Sequence, residues 1–449
     1  MRRIIDYHLL SWKNNPIHKP LLLRGARQVG KTHAVRVLGQ TFGNFVEINL
    51  ETNKKARAIL EKDLDALAII SQLGELLQVR IEPGTTLLFL DEIQQVPQAI
   101  IALRYFYELM PNLHVIAAGS LLEFAIEQVG IPVGRVTTLY MYPLSFIEFL
   151  VATGNARWAE TIVTHTHNTP YNEQVHDSLL SLVNLYCIIG GMPEAVNQWI
   201  RTKISRDVRV VHSDLIFSYQ QDFSKYAKMH QIKYLELLLA KGLEQLSKKF
   251  MFSRVGEYKK RELTPALDLL EKSGLLYKIV HSAGQGIPLG AQANLDDFKI
   301  IFLDVGLTQE LLNLGPTEWF NDPVQAMANK GEIIEAFVGQ ELLVYADPIA
   351  KKNLYYWHRE VRSSSAELDY LVQMSEYVVP IEVKAGFNKR IVSMHMFLES
   401  HQKSSYGIRF WAGNCEHESA IYSYPLYAVI QPLLKDNDVL QNAVHSLLQ

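Results

Sequence analysis

The chain has 449 residues, of which 48% are apolar and 20% are charged, and its formal net charge is −3. This length exceeds what one hydrophobic core supports, so we expect two or three domains. Two cysteines, Cys187 and Cys415, exclude a disulfide framework and a four-cysteine zinc site. The apolar runs are too short for a membrane helix and the start is too polar for a secretory signal, which predicts a cytoplasmic protein without a membrane partner.

Short apolar runs alternate with helix-like stretches through the first 155 residues or so. The runs are LLLR at 21, FVEINL at 45, LLFLDE at 87, VIAAGS at 115 and TLYMYPL at 138. This alternation is typical of the α/β class with a parallel sheet, and it predicts a first domain over residues 1–155.

The strongest motif, GARQVGKT, lies between the first apolar run and a helix-like stretch and satisfies the pattern of a phosphate-binding loop. Backbone N–H groups of such a loop cradle phosphates, its lysine reaches the outer phosphates, and its last hydroxyl ligates Mg²⁺. We predict that ATP and Mg²⁺ bind at this loop, with Thr32 as a metal ligand. The predicted binding residues are Gly25, Ala26, Arg27, Gln28, Val29, Gly30, Lys31 and Thr32.

The run LLFLDE reads as a buried parallel strand that delivers Asp91 and Glu92 at its carboxyl end. We predict that Asp91 holds the Mg²⁺ shell and that Glu92 orients or deprotonates the attacking water. Taken alone, the acidic pair has a simpler explanation as the cap of the next helix.

Together these motifs, the strand ending AAGS and the GR before LYMYPLSFIEF resemble prokaryotic AAA+ ATPases. The resemblance implies a five-stranded sheet with a strand inserted between the two phosphate-site strands. It also implies that Ser120 senses the γ-phosphate and that Arg135 acts as an arginine finger, which predicts a homo-oligomer such as a hexameric ring. The alternative to these two roles is that Ser120 is only a turn residue and that Arg135 is only a surface charge.

Beyond a polar stretch at 155–180 the pattern becomes helical, and we predict a helical lid or linker over 156–232 and a winged helix over 233–290. The segment 247–263 is basic, and the following helix pattern has Thr264 as a candidate N-cap and Pro265 in its first turn. A winged helix here predicts contact with DNA phosphates. The alternative is a solvated charged face or a surface that packs against protein.

The stretch VVPIEVKAG places Glu382 and Lys384 on one face of a strand, because side chains alternate along strands. Upstream, AELDYLV contributes Asp369 and the helix pattern GEIIEAFVGQELL contributes Glu335. These residues resemble the PD-(D/E)xK nuclease core, although Leu368 replaces its proline. The resemblance implies a restriction-endonuclease-like α/β domain over 291–449 in which Glu335, Asp369 and Glu382 hold Mg²⁺ or Mn²⁺ and Lys384 is catalytic.

Two functions follow from this sequence. The first is a Mg²⁺-dependent ATPase coupled to a domain that binds and cleaves nucleic acid, DNA rather than RNA. The second is an ATP-gated switch or scaffold whose last domain binds a partner without catalysis, because alternating acid and lysine residues also form ordinary cross-strand ion pairs. A third option is a toxin or defence effector, which differs in biology more than in chemistry. Zinc at His165, His167 and His176 lacks a cysteine or a clear fourth ligand, which favours a solvated loop. We predict no chemistry for GGMPEAV at 190–196, which reads as a turn before a helix.

Overall fold

Two β-sheets organise the protein in a computed structural model that describes residues 1–62, 64–314, 330–359, 366–435 and 437–449. The first sheet has five strands and the second has eight. Helices cover both sheets and fill the middle of the chain, which confirms the predicted α/β class.

The N-terminal part alternates strands and helices as the apolar runs predict. Its elements are α1 (Ile4–Asn14), β1 (Leu21–Arg24), α2 (Lys31–Gly39), β2 (Asn44–Asn49), α3 (Lys54–Lys62), α4 (Ala66–Leu77), β3 (Thr86–Asp91), α5 (Pro97–Leu109), β4 (His114–Ala118), α6 (Leu122–Val129), β5 (Thr137–Tyr140) and α7 (Phe146–Ala152).

The five strands are parallel and lie in the order β2-β3-β4-β1-β5. Strand β4 therefore lies between β1, which precedes the phosphate loop, and β3, which ends at Asp91. This confirms the inserted strand that the resemblance implies. Every residue of β1 and β3 is buried, because helices cover both faces of a parallel sheet.

Helices dominate the middle of the chain. They are α8 (Ala156–Thr164), α9 (Glu173–Ile189), α10 (Pro193–Thr202), α11 (Ser205–Tyr226), α12 (Met229–Leu237) and α13 (Lys260–Lys272). Helix α13 begins four residues before the predicted N-cap, so the prediction for Thr264 is wrong. Glu262 accepts the backbone N–H of Lys259 and closes the first turn, whereas the Thr264 hydroxyl donates to the Lys260 carbonyl inside the helix.

The second sheet and its helices occupy the rest of the described chain. The elements are β6 (Leu276–Ser282), β7 (Ala293–Phe302), α14 (Val305–Leu311), α15 (Gly331–Val344), β8 (Leu354–His358), β9 (Glu367–Met374), β10 (Tyr377–Lys384), α16 (Val392–Ser400), β11 (Gly407–Trp411), β12 (Glu416–Glu418), β13 (Ile421–Pro425), α17 (Ile430–Leu434) and α18 (Asp438–Leu448).

The strands of this mixed sheet lie in the order β12-β13-β11-β10-β9-β8-β6-β7. Strands β6 and β7 form an antiparallel hairpin, and β6 pairs in parallel with β8. The predicted boundary between 290 and 291 falls in the turn of this hairpin. Strand β6, which lies in the predicted winged helix, and β7, which lies in the predicted C-terminal domain, therefore belong to one sheet.

One continuous apolar core joins a face of the first sheet, the middle helices and a face of the second sheet. Among the described helices no single one is long and apolar enough to cross a bilayer; α9 and α10 pass that test only as a pair, across a bend of 117°. The two sheets are therefore connected through close-packed apolar side chains.

Candidate functional site

Two glycines of the phosphate loop have backbone angles that other residues rarely adopt. Gly25 has φ +147° and Gly30 has φ +103°, both in the region that favours glycine. A Cβ atom on Gly25 would lie 2.2 Å from the carbonyl oxygen of Met141. Helix α2 starts directly after Gly30, so its free N–H groups and the positive end of its dipole face the loop.

Three of the predicted residues, Lys31, Thr32 and Asp91, lie at this loop or beside it. The Lys31 ammonium donates to the carbonyls of Gly25 at 2.9 Å and Ala26 at 2.7 Å. Burial lowers the pKa of Lys31 to about 8. The Thr32 hydroxyl donates to Asp91 Oδ2 at 3.1 Å, and burial followed by the neighbouring Glu92 raises the pKa of Asp91. A hydroxyl and a carboxylate that converge in this way are the donor set Mg²⁺ uses beside a phosphate loop.

Glu92 stands at the end of β3 with φ +54°, and its carboxylate accepts a hydrogen bond from the amide of Gln94. A Cβ atom on Gly119 would lie 2.0 Å from Gln94 Oε1, so the glycine of AAGS leaves room for this amide. Ser120 lies on the wall of the same cleft as Asp91 and Glu92. The structure thus brings these predicted residues together and adds Gln94, which the sequence analysis missed.

The cleft has a volume of about 620 Å³, which suits a nucleotide. Its walls include side chains that were not predicted: Met1, Arg3, Pro193, Glu194 and Asn197. The last three lie in the first half of α10, and two of them, Pro193 and Glu194, belong to GGMPEAV, the stretch to which we assigned no chemistry. Pro193 occupies the first position of α10, which fits the turn before a helix predicted for this stretch.

Arg3 fixes the far side of the phosphate loop. It is 7% exposed and donates to the Val29 carbonyl at 3.1 Å, to the Tyr142 carbonyl at 2.8 Å and to Glu148 Oε1 at 3.0 Å. Glu148 also closes the capping box of α7 with Ser145. The only sequence signal for this network was the stretch LSFIEF, whose function was not evident.

Arg135 lies away from the cleft of its own chain. Its Nε donates to Glu108 Oε1 at 3.0 Å, and its side chain is 44% exposed. The residue is not among those that line the cleft described above. Any contact with ATP would therefore be made to a neighbouring copy, after release from Glu108.

The middle helices contact the phosphate loop directly. Arg27 forms an ion pair with Asp222 of α11, and the Tyr219 hydroxyl donates to the Arg27 carbonyl at 2.9 Å. The turn after α13 also lies against the loop, since a Cβ atom on Gly274 would be 3.4 Å from that of Ala26. The conformation of the loop is therefore tied to α11 and α13.

The C-terminal acidic residues form a second cluster around a lysine that the sequence analysis missed. Lys299 of β7 is fully buried, and its Nζ lies 2.6 Å from Glu367 Oε1, 3.1 Å from Glu335 Oε1 and 3.7 Å from Asp369 Oδ1. Burial acts to lower the pKa of Lys299, but Glu335, Asp369 and Glu367 outweigh it and raise that pKa. Burial raises the pKa of Glu335 and of Asp369. Glu335 therefore pairs with an ammonium group in this structure.

Glu382 and Lys384 share one face of β10, as the strand pattern predicted. Lys384 Nζ lies 2.5 Å from Glu382 Oε1, whereas the buried Glu382 Oε2 has no hydrogen-bond partner among the residues that the structure describes. Asp369 Oδ2 accepts the N–H of Val383 at 2.7 Å, which holds its carboxylate beside β10. Burial raises the pKa of Glu382.

These residues fit a divalent cation by charge and by hydrogen bonding. Four carboxylates, Glu335, Glu367, Asp369 and Glu382, face two ammonium groups, and this leaves an excess of two negative charges when all are ionised. An unpartnered carboxylate oxygen in a buried position is costly unless it finds a donor or a metal. The carboxylate oxygens of Asp369 and Glu382 are therefore the type of ligand that Mg²⁺ or Mn²⁺ uses, whereas Glu335 pairs with Lys299.

Much of the basic segment 247–263 is neutralised within the chain. Lys248 lies 2.9 Å from Glu332, Lys249 lies 2.5 Å from Asp297, and Lys260 lies 2.6 Å from Asp296. The end of α13 packs on the first domain, where Lys272 lies 2.5 Å from Glu127. Helix α13 is thus partly covered by protein and does not stand free to enter a DNA groove.

The three histidines considered for zinc are dispersed. His176 is buried, with Nδ1 2.8 Å from the Tyr427 hydroxyl and Nε2 3.0 Å from the Ala412 carbonyl. His165 Nε2 lies 2.8 Å from the Thr169 carbonyl, and His167 Nε2 lies 2.9 Å from that of Ser423. Each ring therefore has its own hydrogen-bond partner.

Comparison with known families divides the chain into three parts. Residues 17–150 match an AAA domain family, residues 180–318 match a domain of unknown function (DUF8612), and residues 330–427 match another (DUF4143). No curated protein matches the chain.

Several solved structures align with parts of the chain. A Walker-type ATPase of Pyrococcus abyssi is 16% identical with a TM-score of 0.42, over 68% of this chain and 94% of that one. The Drosophila ORC bound to DNA is 14% identical with a TM-score of 0.27, over 69% and 85%. A signal transduction ATPase with numerous domains (STAND) of Pyrococcus horikoshii is 14% identical with a TM-score of 0.26, over 76% and 47%. TM-scores this low carry no functional conclusion.

The AAA domain match covers the loop, the strand that ends at Asp91 and the strand that ends before Ser120. Combined with the convergence of Lys31, Thr32, Asp91 and Glu92, it supports ATP binding and hydrolysis by an ATPase of the AAA type.

Proposed function

We propose that the protein is a Mg²⁺-dependent ATPase whose nucleotide state controls a C-terminal domain that binds and cleaves DNA. The observation that carries the nuclease half is the buried, unpartnered oxygen of Glu382 beside Asp369 and Lys384. Such an oxygen gains most from a divalent cation, and the neighbouring lysine supplies a positive charge for a phosphate.

In the ATPase half, the helix start after Gly30 and the Lys31 ammonium bind the phosphates once the lysine leaves the Gly25 and Ala26 carbonyls. Thr32 and Asp91 would hold Mg²⁺, which neutralises charge on the phosphates when bound. Glu92 accepts a proton from, or orients, the attacking water, and Gln94 holds that carboxylate in place. Ser120 donates its hydroxyl to the γ-phosphate side of the cleft.

In the C-terminal half, Asp369 and Glu382 would hold Mg²⁺ or Mn²⁺, which would polarise a bound phosphate. Lys384 stabilises the charge that develops on the phosphate. The structure supports a different role for Glu335 from the one the resemblance implied. Glu335 fixes the Lys299 ammonium between the carboxylates, so it limits their repulsion and is not a metal ligand.

A chain of short contacts connects the two halves. Gly191, which precedes the α10 residues of the cleft, donates its N–H to Asp304 Oδ2 at 2.6 Å. Asp304 follows β7, the strand of Lys299, and caps α14 through the N–H groups of Gly306 and Leu307. A Cβ atom on Gly190 would lie 2.1 Å from Asp304 Oδ1, which excludes larger residues. We infer that closure of α10 on ATP is transmitted through Asp304 to β7.

For the partners we propose DNA and further copies of the chain. Lys259 and Arg261 remain candidates for phosphate contact, since the ion pairs found among the described residues of this segment involve Lys248, Lys249 and Lys260. A homo-oligomer, with a hexameric ring as one form, would allow Arg135 to reach the ATP of a neighbouring copy.

The test is cleavage of plasmid DNA by the full chain in Mg²⁺ or Mn²⁺, with Ca²⁺ and EDTA as controls. Asp369→Ala and Glu382→Ala should lose metal binding and cleavage, whereas Lys384→Ala should keep the metal and cut slowly. Lys389→Ala serves as the matched control, because Lys389 is an exposed lysine paired with Glu416 on the same sheet. Cleavage that survives Asp369→Ala would contradict the proposal.

The second candidate is an ATP-gated switch whose C-terminal domain binds DNA or protein without cutting. Lys299 favours it, because its ammonium already compensates three of the carboxylates. This candidate predicts ATP-dependent binding and no metal-dependent cleavage. The plasmid assay separates the two functions.

A further inference from the structure

Two histidines and an aspartate from three adjacent strands meet next to the acidic cluster. His281 lies on β6, Asp297 on β7 and His358 on β8, and one nitrogen or oxygen of each lies within 4.8 Å of the others. His281 is 2% exposed and Asp297 is 8% exposed. Neither the proposed ATPase nor the proposed nuclease uses these side chains.

One polar atom of each of these three side chains has a hydrogen-bond partner nearby. His281 Nε2 lies 3.3 Å from the His358 carbonyl, and His358 Nδ1 lies 3.4 Å from the Arg359 carbonyl. The Tyr356 hydroxyl donates to Asp297 Oδ1 at 2.5 Å. Metal-binding histidines and carboxylates are held in this manner, by a carbonyl behind the ring or a donor behind the carboxylate.

His358 and Asp297 also contact each other, and the ring of His281 lies beside them. His358 Nε2 and Asp297 Oδ2 are 2.9 Å apart, a separation compatible with two ligands of one ion. The rings of His281 and His358 have centroids 4.4 Å apart. Lys249 supplies the positive charge here, with its Nζ 2.5 Å from Asp297 Oδ2 and its side chain 53% exposed. A half-exposed lysine is able to swing into solvent and leave Asp297 Oδ2 to another cation.

We propose that His281, Asp297 and His358 form a binding site for a divalent transition-metal ion, with zinc as the first choice. Two imidazoles and one carboxylate suit zinc or a similar first-row ion, whereas Mg²⁺ prefers oxygen ligands alone. Three protein donors leave a coordination position for water, which is the arrangement of reactive zinc sites. His358 on β8 also lies opposite Glu367 on β9, and Glu367 is one of the carboxylates around Lys299. The ion would therefore lie next to the acidic cluster.

The experiment is a Co²⁺ titration of the metal-free full chain in excess Mg²⁺, followed by visible absorption and by metal analysis after gel filtration. Excess Mg²⁺ occupies the oxygen-only sites, so the absorption reports a site with nitrogen ligands. We expect one saturable site in the wild type, loss of that site in His281→Ala and His358→Ala, and binding about 10–100-fold weaker in Tyr356→Phe. Zn²⁺ should displace Co²⁺.

Two variants keep the test decisive even when a buried substitution perturbs folding. Lys249→Met removes a competing ammonium from a half-exposed side chain and should tighten Co²⁺ binding. His395→Ala on α16 removes an exposed histidine outside the site and should change nothing. Absence of saturable binding in the wild type, or equal affinity in the wild type and Lys249→Met, would overturn the proposal.

Discussion

The buried Lys299 gives the most quantitative prediction, because its replacement by methionine keeps the volume and removes the charge. In the wild type its ammonium lies within 3.7 Å of Glu335, Glu367 and Asp369. Removal of one partner from a buried ion pair costs about 3–5 kcal/mol. We expect Lys299→Met to lower the free energy of unfolding of the C-terminal sheet by about that amount at pH 8.

The loss should shrink as the pH falls. Burial already raises the pKa of Glu335 and Asp369 in the folded state, and removal of the lysine raises both further. Carboxyl groups whose pKa is higher in the folded state than in the unfolded state destabilise the fold as the pH rises. The variant should therefore lose less stability at pH 5, where these groups bind protons, than at pH 8.

Urea unfolding at both pH values, followed by tryptophan fluorescence, measures the effect, since Trp357 and Trp411 are buried in the same sheet. Lys259→Met, an exposed lysine exchanged for the same residue, is the matched control. The double variant Lys299→Met/Glu335→Gln should recover part of the loss. A loss below about 1 kcal/mol that does not change with pH would refute the buried-charge argument.

Further predictions concern the ATPase and its coupling. Lys31→Ala should abolish ATP hydrolysis. Glu92→Gln should bind ATP but hydrolyse it far more slowly. Steady-state phosphate release measures hydrolysis in both variants, and a fluorescent nucleotide measures binding. Because the pKa of Lys31 is lowered to about 8, wild-type ATP affinity should fall as the pH rises above 8, which calorimetry measures. Arg135→Ala mixed with Lys31→Ala should regain hydrolysis if the finger acts between copies, and turnover that is independent of protein concentration would oppose this. Asp304→Asn should keep ATP binding but weaken any effect of ATP on the C-terminal domain, measured as hydrogen exchange of β7, with Asp296→Asn as the exposed control.

The local motifs could be predicted because their residues are close in sequence. GARQVGKT holds its glycines, lysine and threonine within one loop, and LLFLDE gives a buried strand that ends in the acids. The parallel sheet then brings Thr32 and Asp91 together, since both follow carboxyl ends of strands. The pair Glu382 and Lys384 follows in the same way from the two-residue period of a strand.

The contacts missed from the sequence join distant segments. Lys299 opens the apolar stretch KIIFLDVGL, in which no neighbouring acid marks it as an ion-pair partner, and its partners lie 36 or more residues away. Arg3 contacts Val29, Tyr142 and Glu148, and no local pattern distinguishes it from an ordinary terminal charge. The run that forms β6 was predicted as the strand of a winged helix because it follows a helix pattern, whereas its pairing with β7 and β8 depends on tertiary packing.

The measurement that tests the central claim most directly is DNA cleavage by the wild type, Lys31→Ala and Asp369→Ala in Mg²⁺, each with and without ATP. If the ATPase controls a working nuclease, the wild type should cut DNA in Mg²⁺ and ATP should change that rate. Lys31→Ala should lose the response to ATP but keep basal cleavage, and Asp369→Ala should not cut. Wild-type protein that binds DNA, hydrolyses ATP and shows no more cleavage than Asp369→Ala under any of these conditions would contradict the account.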